Sequence, residues 1–190
     1  MENIERDLIV RSQTGDRNAF GELVALYKDR IFSLAFRMLG DREEAEDVAQ
    51  ETFIRLFTHL HRYDETYRLS TWLFRIANNL SIDRLRRSKR NLKGLSLDAE
   101  LQGTEGLALY DAVRDDSPTP EQSLLQNEVE EQIKEAIRSL SPKYRNIMIL
   151  KYMEDLSIQE ISEIVNLPEA TVKTRLHRGR EALRKKLRHI

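Results

Sequence analysis

Residues 157–180 read SIQEISEIVNLPEATVKTRLHRGR, and this stretch sets the fold class because it spells two short helices around a tight turn, the second strongly basic. Ser157 with Glu160 three residues on forms a capping box, in which each side chain satisfies an unpaired backbone donor at the start of a helix. Ile158, Ile161 and Ile164 then line one face. Asn166 tolerates the left-handed conformation that ends a helix, and Pro168 has the fixed φ suited to opening the next. Val172, Leu176 and Leu183 give the second helix its buried stripe. Thr171, Thr174, Arg175 and Arg178 fall mostly off it, where a recognition helix meets base edges and phosphates in a major groove. The bland alternative is a helical hairpin with a solvated basic face. Turn, caps and charge together favour a helix-turn-helix for double-stranded DNA.

A formal net charge of −1 does not suit such a protein, but the average over 190 residues hides a segregation. Arg84, Arg86, Arg87, Lys89, Arg90 and Lys93 form one basic run, and Lys173 to Arg188 form another, opposed only by Glu181. Between them Asp98, Glu100, Glu105, Asp111, Asp115, Asp116, Glu121, Glu128, Glu130 and Glu131 face a single base, Arg114. Local fields decide where a polyanion lands, so two basic surfaces suggest two contacts with one nucleic acid. The absence of cysteine excludes a disulfide framework and a thiolate metal site. The start, MENIERDLIV, lacks the features of a secretory signal, and no apolar run is long enough to span a bilayer. A soluble cytoplasmic protein without membrane insertion is the expectation.

The apolar residues from 4 to 90 keep helical spacing, which predicts an all-α fold. Phe20, Leu23, Val24, Tyr27, Ile31, Leu34, Ala35 and Met38 make one stripe, stopped by Gly40. Asp41 with Glu44 offers a cap for the next helix, as Asp16 does after Gly15. A third stripe runs through Ala45, Val48, Ala49, Thr52, Phe53, Leu56, Phe57 and Leu60. After the loop HRYDETYRLS, Ser70 or Thr71 is expected to cap a fourth helix. Residues 93–125, rich in acids, Gly and Pro, read as a flexible linker between a first small helical domain (1–92) and a second (126–190). The second opens with a helix over 121–140, followed by one capped by Ser141 and Pro142.

Two features of the first domain bear on function. Asp47, Gln50 and Glu51 form a polar patch on the face opposite Val48, Thr52 and Phe53; by pattern alone this is an ordinary solvated face. Further on, Tyr63, Tyr67, Trp72 and Phe74 alternate with Arg68, Arg75 and Arg84, and Asn78 and Asn79 lie close by. Rings and cations suit unpaired bases, which stack on the rings while their phosphates meet Arg and Lys, and an Asn can bond a base edge. The competing reading puts Trp72 and Phe74 in the core.

EDVAQETFIRLF at 46–57, STWLFRIANNLSIDRLRR at 70–87 and LSPKYRNIMILKYMEDLSIQEISEIVNLPEATVKTRLHRGREALRKKL at 140–187 occur in an order and spacing far more specific than a lone helix-turn-helix. By these motifs the chain resembles, over nearly all its length, the bacterial extracytoplasmic-function (ECF) sigma factors, group 4 of the sigma-70 family, and most of all their sigma-W type. The resemblance implies sigma domain two for the first domain and sigma domain four for the second, with the acidic linker in place of an intermediate domain. It implies that Asp47, Gln50 and Glu51 contact the clamp of the largest subunit of core RNA polymerase, the second domain meeting the flap of the second-largest. Tyr63, Asp64, Tyr67, Arg68, Trp72, Asn78, Asn79, Arg84, Arg86 and Arg87 would serve the minus-ten element, with a flipped base held by Asn79 and the preceding loop. Thr171, Lys173, Thr174, Arg175, His177 and Arg178 would meet the minus-thirty-five element. The linker would enter the later path of RNA. A membrane-anchored anti-sigma factor is the implied inhibitor, and stress-response promoters are the implied targets.

Bond-making chemistry finds no support in the residues. His59 and His61, two apart, point to different faces of a helix, so paired metal ligation is not expected there, and no cofactor motif occurs. The more serious rival is a stand-alone helix-turn-helix regulator, which would act as a dimer on a palindrome.

Overall fold

The computed structural model describes the backbone of residues 2–63, 68–95, 132–133 and 135–187, and every regular element among them is helical. In chain order these are α1 (Glu2–Gln13), α2 (Arg17–Leu39), α3 (Arg42–His59), a 3-10 turn (Leu60–Arg62), α4 (Leu69–Leu95), α5 (Pro142–Tyr152), α6 (Ile158–Val165) and α7 (Glu169–Leu187). None of the described helices is long and apolar enough to cross a membrane. Most of the expected linker, and the start of the helix expected over 121–140, lie outside the described residues; helix is present at 135–138.

Local chemistry sets the helix ends. The Asp16 carboxylate accepts from the Asn18 and Ala19 N–H groups at 2.9 and 3.1 Å, and Arg11 donates to it at 2.7 Å. These Ala19 and Arg11 contacts hold its pKa below the ordinary carboxylate value. Gly40, at φ 77°, ends α2 with its N–H on the Phe36 carbonyl at 2.8 Å. Asp41 caps α3 through the Glu44 N–H at 2.8 Å, while the Glu44 carboxylate itself accepts from Arg84. The expectation for α4 needs correction. The helix already begins at Leu69, with the Arg68 carbonyl accepting from Trp72 N–H at 3.2 Å, so Ser70 and Thr71 sit inside it rather than at its N-cap.

The first module packs α2 against α1, α3 and α4. Leu23, Ile31, Leu34 and Met38 of α2 meet Val48 and Leu56 of α3 and Leu69, Leu73 and Phe74 of α4, all buried. The buried hydroxyls of Thr52 and Ser81 donate back to the Val48 and Ala77 carbonyls at 2.7 and 2.8 Å, so neither carries an unmet donor. Phe57, expected in the third stripe, is instead 60% exposed, with an edge-to-face contact to Phe20 at 5.1 Å between ring centroids.

In the second module the middle of α5 is covered: Asn146 to Leu150 are consecutively buried because α7 packs on one side and α2 of the first module on another. The helix-turn-helix follows the sequence reading. The capping box closes with Ser157 N–H on Glu160 Oε2 at 2.8 Å and Glu160 N–H on Ser157 Oγ at 3.1 Å. Asn166 is left-handed at φ 51°, and the Ser162 hydroxyl ties the turn by donating to the Leu167 carbonyl at 2.5 Å. Burial by itself would raise the Glu160 pKa, but the Ser157 N–H and hydroxyl, with Arg68 and Lys151 nearby, hold it below its ordinary value.

Gly179 sets how closely α7 approaches α5. A Cβ there would stand 3.0 Å from both Cγ and Sδ of Met148 and 3.8 Å from Cβ of Tyr144. The flexible Met148 can yield a few tenths of an ångström, so Gly179→Ala should be absorbed. Gly179→Leu should force the helices apart and cost roughly 1–3 kcal/mol, read as a lower denaturation midpoint; an unchanged midpoint would refute the close-approach role.

Candidate nucleic-acid and polymerase interface

Helix α3 carries the first candidate surface. Val48 and Thr52 point into the core while Asp47 and Gln50 are exposed and Glu51 is half-buried, as the spacing predicts. Glu51 is bridged by Arg55 at 2.8 Å. Asp47 is engaged by Arg84 of α4 at 3.2 Å, and the same Arg84 Nη1 donates to Glu44. The stripe continues in a way that sequence reasoning missed. Ile54 and Phe57, seven and ten positions after Asp47, lie on the same face and are 51% and 60% exposed. A polar patch that runs into two outward apolar side chains is unusual for a merely solvated helix. The signal available in the sequence was the i, i+3, i+7, i+10 series; it was hidden because Phe57 also fits the core stripe.

The second surface centres on α4, and here the expected residues divide. Trp72 is half-buried and stacks on Tyr63 with centroids 5.5 Å apart and planes 15° apart. Phe74 is wholly buried with the Arg30 guanidinium 4.9 Å from its ring centroid, so it belongs to the core. Gln13 Nε2 donates to the Leu60 and Tyr63 carbonyls at 3.0 Å each and anchors the beginning of the loop. Asp64 and Tyr67 lie outside the described residues. Asn79 is exposed, whereas Asn78 is only 1% exposed. The adjacent position faces inward with Phe74 and Ala77, which corrects the expectation for Asn78. Arg84 is likewise not on an outer DNA face; its guanidinium is turned to the carboxylates of α3, which attract it across the helix pair. Arg86 and Arg87 are exposed, Arg86 within 3.5 Å of Asp83.

The third surface is the outer side of α7. Lys173, Thr174, His177 and Arg178 are exposed, and Thr171 and Arg175 half-buried, over the buried Val172, Leu176 and Gly179. Thr174 Oγ1 donates to the Ala170 carbonyl at 2.9 Å, which leaves its oxygen lone pair and methyl group facing outward. Lys173 is 3.6 Å from Glu169. Arg178 sits against the Tyr144 hydroxyl, and that contact, with Lys143 close by, lowers the tyrosine pKa. Lys143 Nζ lies 4.8 Å from the Tyr144 ring centroid. Lys143 therefore extends the cationic face, with the half-buried Tyr144 between it and Arg178.

An all-helical pair of modules, one carrying a helix-turn-helix and the other a long helix with exposed amide and guanidinium groups, defines a DNA-binding protein with two reading surfaces. Family models for sigma-70 region 2 and sigma-70 region 4 match residues 23–91 and 130–183, one on each module. The chain is 47% identical over 190 residues to the ECF RNA polymerase sigma factor SigW of Bacillus subtilis, covering 100% of both chains. It is 34% identical to the RNA polymerase sigma-H factor of Pseudomonas aeruginosa, covering 98% of this chain and 95% of that one. The fold also matches the sigma factor RpoE, solved in complex with the anti-sigma factor NepR from Bartonella quintana (TM-score 0.69, 21% identity, covering 89% and 96% of the two chains). The chain belongs to the extracytoplasmic-function RNA polymerase sigma factors. It is a DNA-binding transcription initiation factor of the sigma-W-like kind.

Proposed function

We propose that the exposed stripe of α3, Asp47–Gln50–Ile54–Phe57 with Glu51 beside it, is the surface on which this sigma factor docks to the clamp of the largest polymerase subunit. The observation that carries this reading is the pairing of acid and amide with outward apolar side chains on one helix face. A clamp offering cations and an apolar patch would complement both. The flap of the second-largest subunit is assigned to the second module. On the DNA, Asn79 with the Tyr63–Trp72 stack and the loop between them takes a base flipped from the minus-ten element, and Arg68, Arg86 and Arg87 hold phosphates. The outer face of α7, with Thr171, Lys173, Thr174, Arg175, His177 and Arg178, reads the minus-thirty-five element.

The work is binding rather than bond chemistry, so the protein is not an enzyme. Unstacking a base costs a few kcal/mol, and stacking on aromatic side chains returns about 1–3 kcal/mol per base, so capture nearly balances melting. Polymerase fixes the distance between the two reading modules, and effective concentration then makes the second contact cheap once the first has formed. An anti-sigma factor, membrane-anchored as the family resemblance implies, is the natural antagonist because it can compete for the same exposed surfaces. Action in the cytoplasm at stress-response promoters follows from the same reading. A stand-alone dimeric regulator is not favoured, since such a protein has no use for a whole second module of the sigma-70 region 2 type.

The test is transcription from a candidate promoter by purified core polymerase with and without this protein. A defined start site that appears only with the protein is expected. If no promoter library yields such a start, the reading fails.

A further inference from the structure

The two modules do not hang apart. Glu154, in the turn after α5, is buried to 5% side-chain exposure between two arginines of α2, Arg30 at 3.1 Å and Arg37 at 3.8 Å. Asp155, next in the chain, holds a left-handed φ of 51°, so the turn is shaped at some cost to present that carboxylate. Arg145 of α5 donates to the Met38 carbonyl at 2.6 Å, near the C-terminal end of α2, and also to the carbonyls of Arg138 and Leu140 in its own module. It thereby satisfies an end-of-helix acceptor with a cation, as the helix dipole favours. The Arg138 guanidinium lies 5.8 Å from the Phe36 ring centroid. Glu160, the capping-box residue of the helix-turn-helix, is 3.5 Å from Arg68, and α6 packs against α4. The buried apolar residues of the two modules form one continuous cluster.

This arrangement conflicts with the task assigned under the proposed function, on which the present inference rests. Elements near minus ten and minus thirty-five are about 25 base pairs apart, or about 85 Å at roughly 3.4 Å per step. A compact chain of this length has a radius of gyration of about 16 Å. The modules cannot remain in contact and fill both elements. Residues 96–131, if extended, would span more than about 100 Å, so the covalent connection permits separation.

We propose that Glu154, clasped by Arg30 and Arg37, is an ionic latch that holds the sigma factor in a closed form unable to bind both promoter elements, and that docking on core polymerase opens it. Arg145 on the Met38 carbonyl and Glu160 on Arg68 are its flanking contacts. Opening lets water reach the Glu154 carboxylate, which the closed form covers. Removing the carboxylate leaves two partly exposed arginines side by side without the acid they share, which favours the open form. Where only a small fraction of molecules is open, the apparent affinity for promoter DNA falls by that fraction. Weakening the latch should therefore tighten DNA binding by the free protein.

The test uses the full chain, which has no cysteine of its own. Ser33→Cys with Met153→Cys, which line the same cleft and leave the three latch charges in place, is joined by a short bismaleimide. The cross-link should form readily in the free protein and poorly when core polymerase and promoter are added first; equal yields in the two states would overturn the latch. The joined protein should lose promoter-directed transcription by about ten-fold or more, while the unjoined double variant retains it. Equal transcription by joined and unjoined protein would also overturn it. If neither the unjoined variant nor the natural protein directs transcription, it is the sigma-factor assignment of surfaces that fails. Independently, Glu154→Gln should raise the affinity of the free chain for promoter DNA by about ten-fold, and an unchanged affinity in a protein of unchanged helix content counts against the proposal.

Discussion

Asp47→Arg combined with Gln50→Ala is expected to abolish copurification with core polymerase and to weaken binding by at least about a hundred-fold, because it replaces an acid by a repelled cation and removes an amide at the centre of the α3 face. Charge reversal at a desolvated contact costs several kcal/mol. The fold should survive. Asp47 is exposed, and its pair with Arg84 is of the partly exposed kind worth about 0–1 kcal/mol, so the melting temperature should fall by only a few degrees. Phe57→Ser on the same stripe should weaken the polymerase contact without any charge change, separating an apolar contribution from an electrostatic one. Undiminished copurification of the double variant would remove this face from the interface.

The second large effect is expected at Asn79. Asn79→Ala should leave formation of the closed promoter complex at natural levels but slow strand opening by about ten-fold, the loss expected when a captured base forfeits roughly 1–2 kcal/mol of edge contacts. Permanganate reactivity of unpaired thymines reads the step directly. Asn78 supplies the internal comparison. It is buried, with Oδ1 lacking a hydrogen-bond partner, so Asn78→Ala should act through packing and thermal stability rather than on the opening step alone. Equal permanganate reactivity of Asn79→Ala and the natural protein would dismiss the base-capture role.

Arg84 joins these two surfaces physically. It leaves α4, the proposed DNA-reading helix, and ends on the acids of α3, the proposed docking helix. Its pKa reflects both sides of that position: burial lowers it, and the Glu44 and Asp47 carboxylates more than compensate, leaving it raised. The expectation that Arg84 holds promoter phosphate came from its place in a basic run. A run of like charges says which residues are cationic, but not which of them a neighbouring helix will claim.

Several features were legible in the linear sequence because the forces that set them act over a few residues. The helix-turn-helix is the best case: Ser157 and Glu160 satisfy each other three residues apart, and Asn166 takes the left-handed turn within one helical turn of Ser162. Asp16, Gly40 and Asp41 set their boundaries in the same way. Period also fixed which face of α2 is buried, since Leu23, Ile31, Leu34 and Met38 leave no other solution. Where period admits two solutions, the sequence could not choose. Phe57 fits both the core stripe and the outer one. Asn78 and Asn79 are chemically identical neighbours 100° apart on a helix, and only the packing of Phe74 and Ala77 decides which is hidden.

By itself, then, the order of amino acids determined the helical class of the described elements, the caps at Asp16, Gly40, Asp41 and Ser157, the helix-turn-helix and the alternation of basic and acidic segments, because each depends on neighbours within about one turn of helix or on composition alone. Tertiary structure decided which polar groups reach solvent, turned Arg84 toward α3, exposed Ile54 and Phe57, and brought Glu154 to Arg30 and Arg145 to Met38. Those outcomes depend on partners separated in sequence by many helical turns, and their energies arise only when burial removes water from between them.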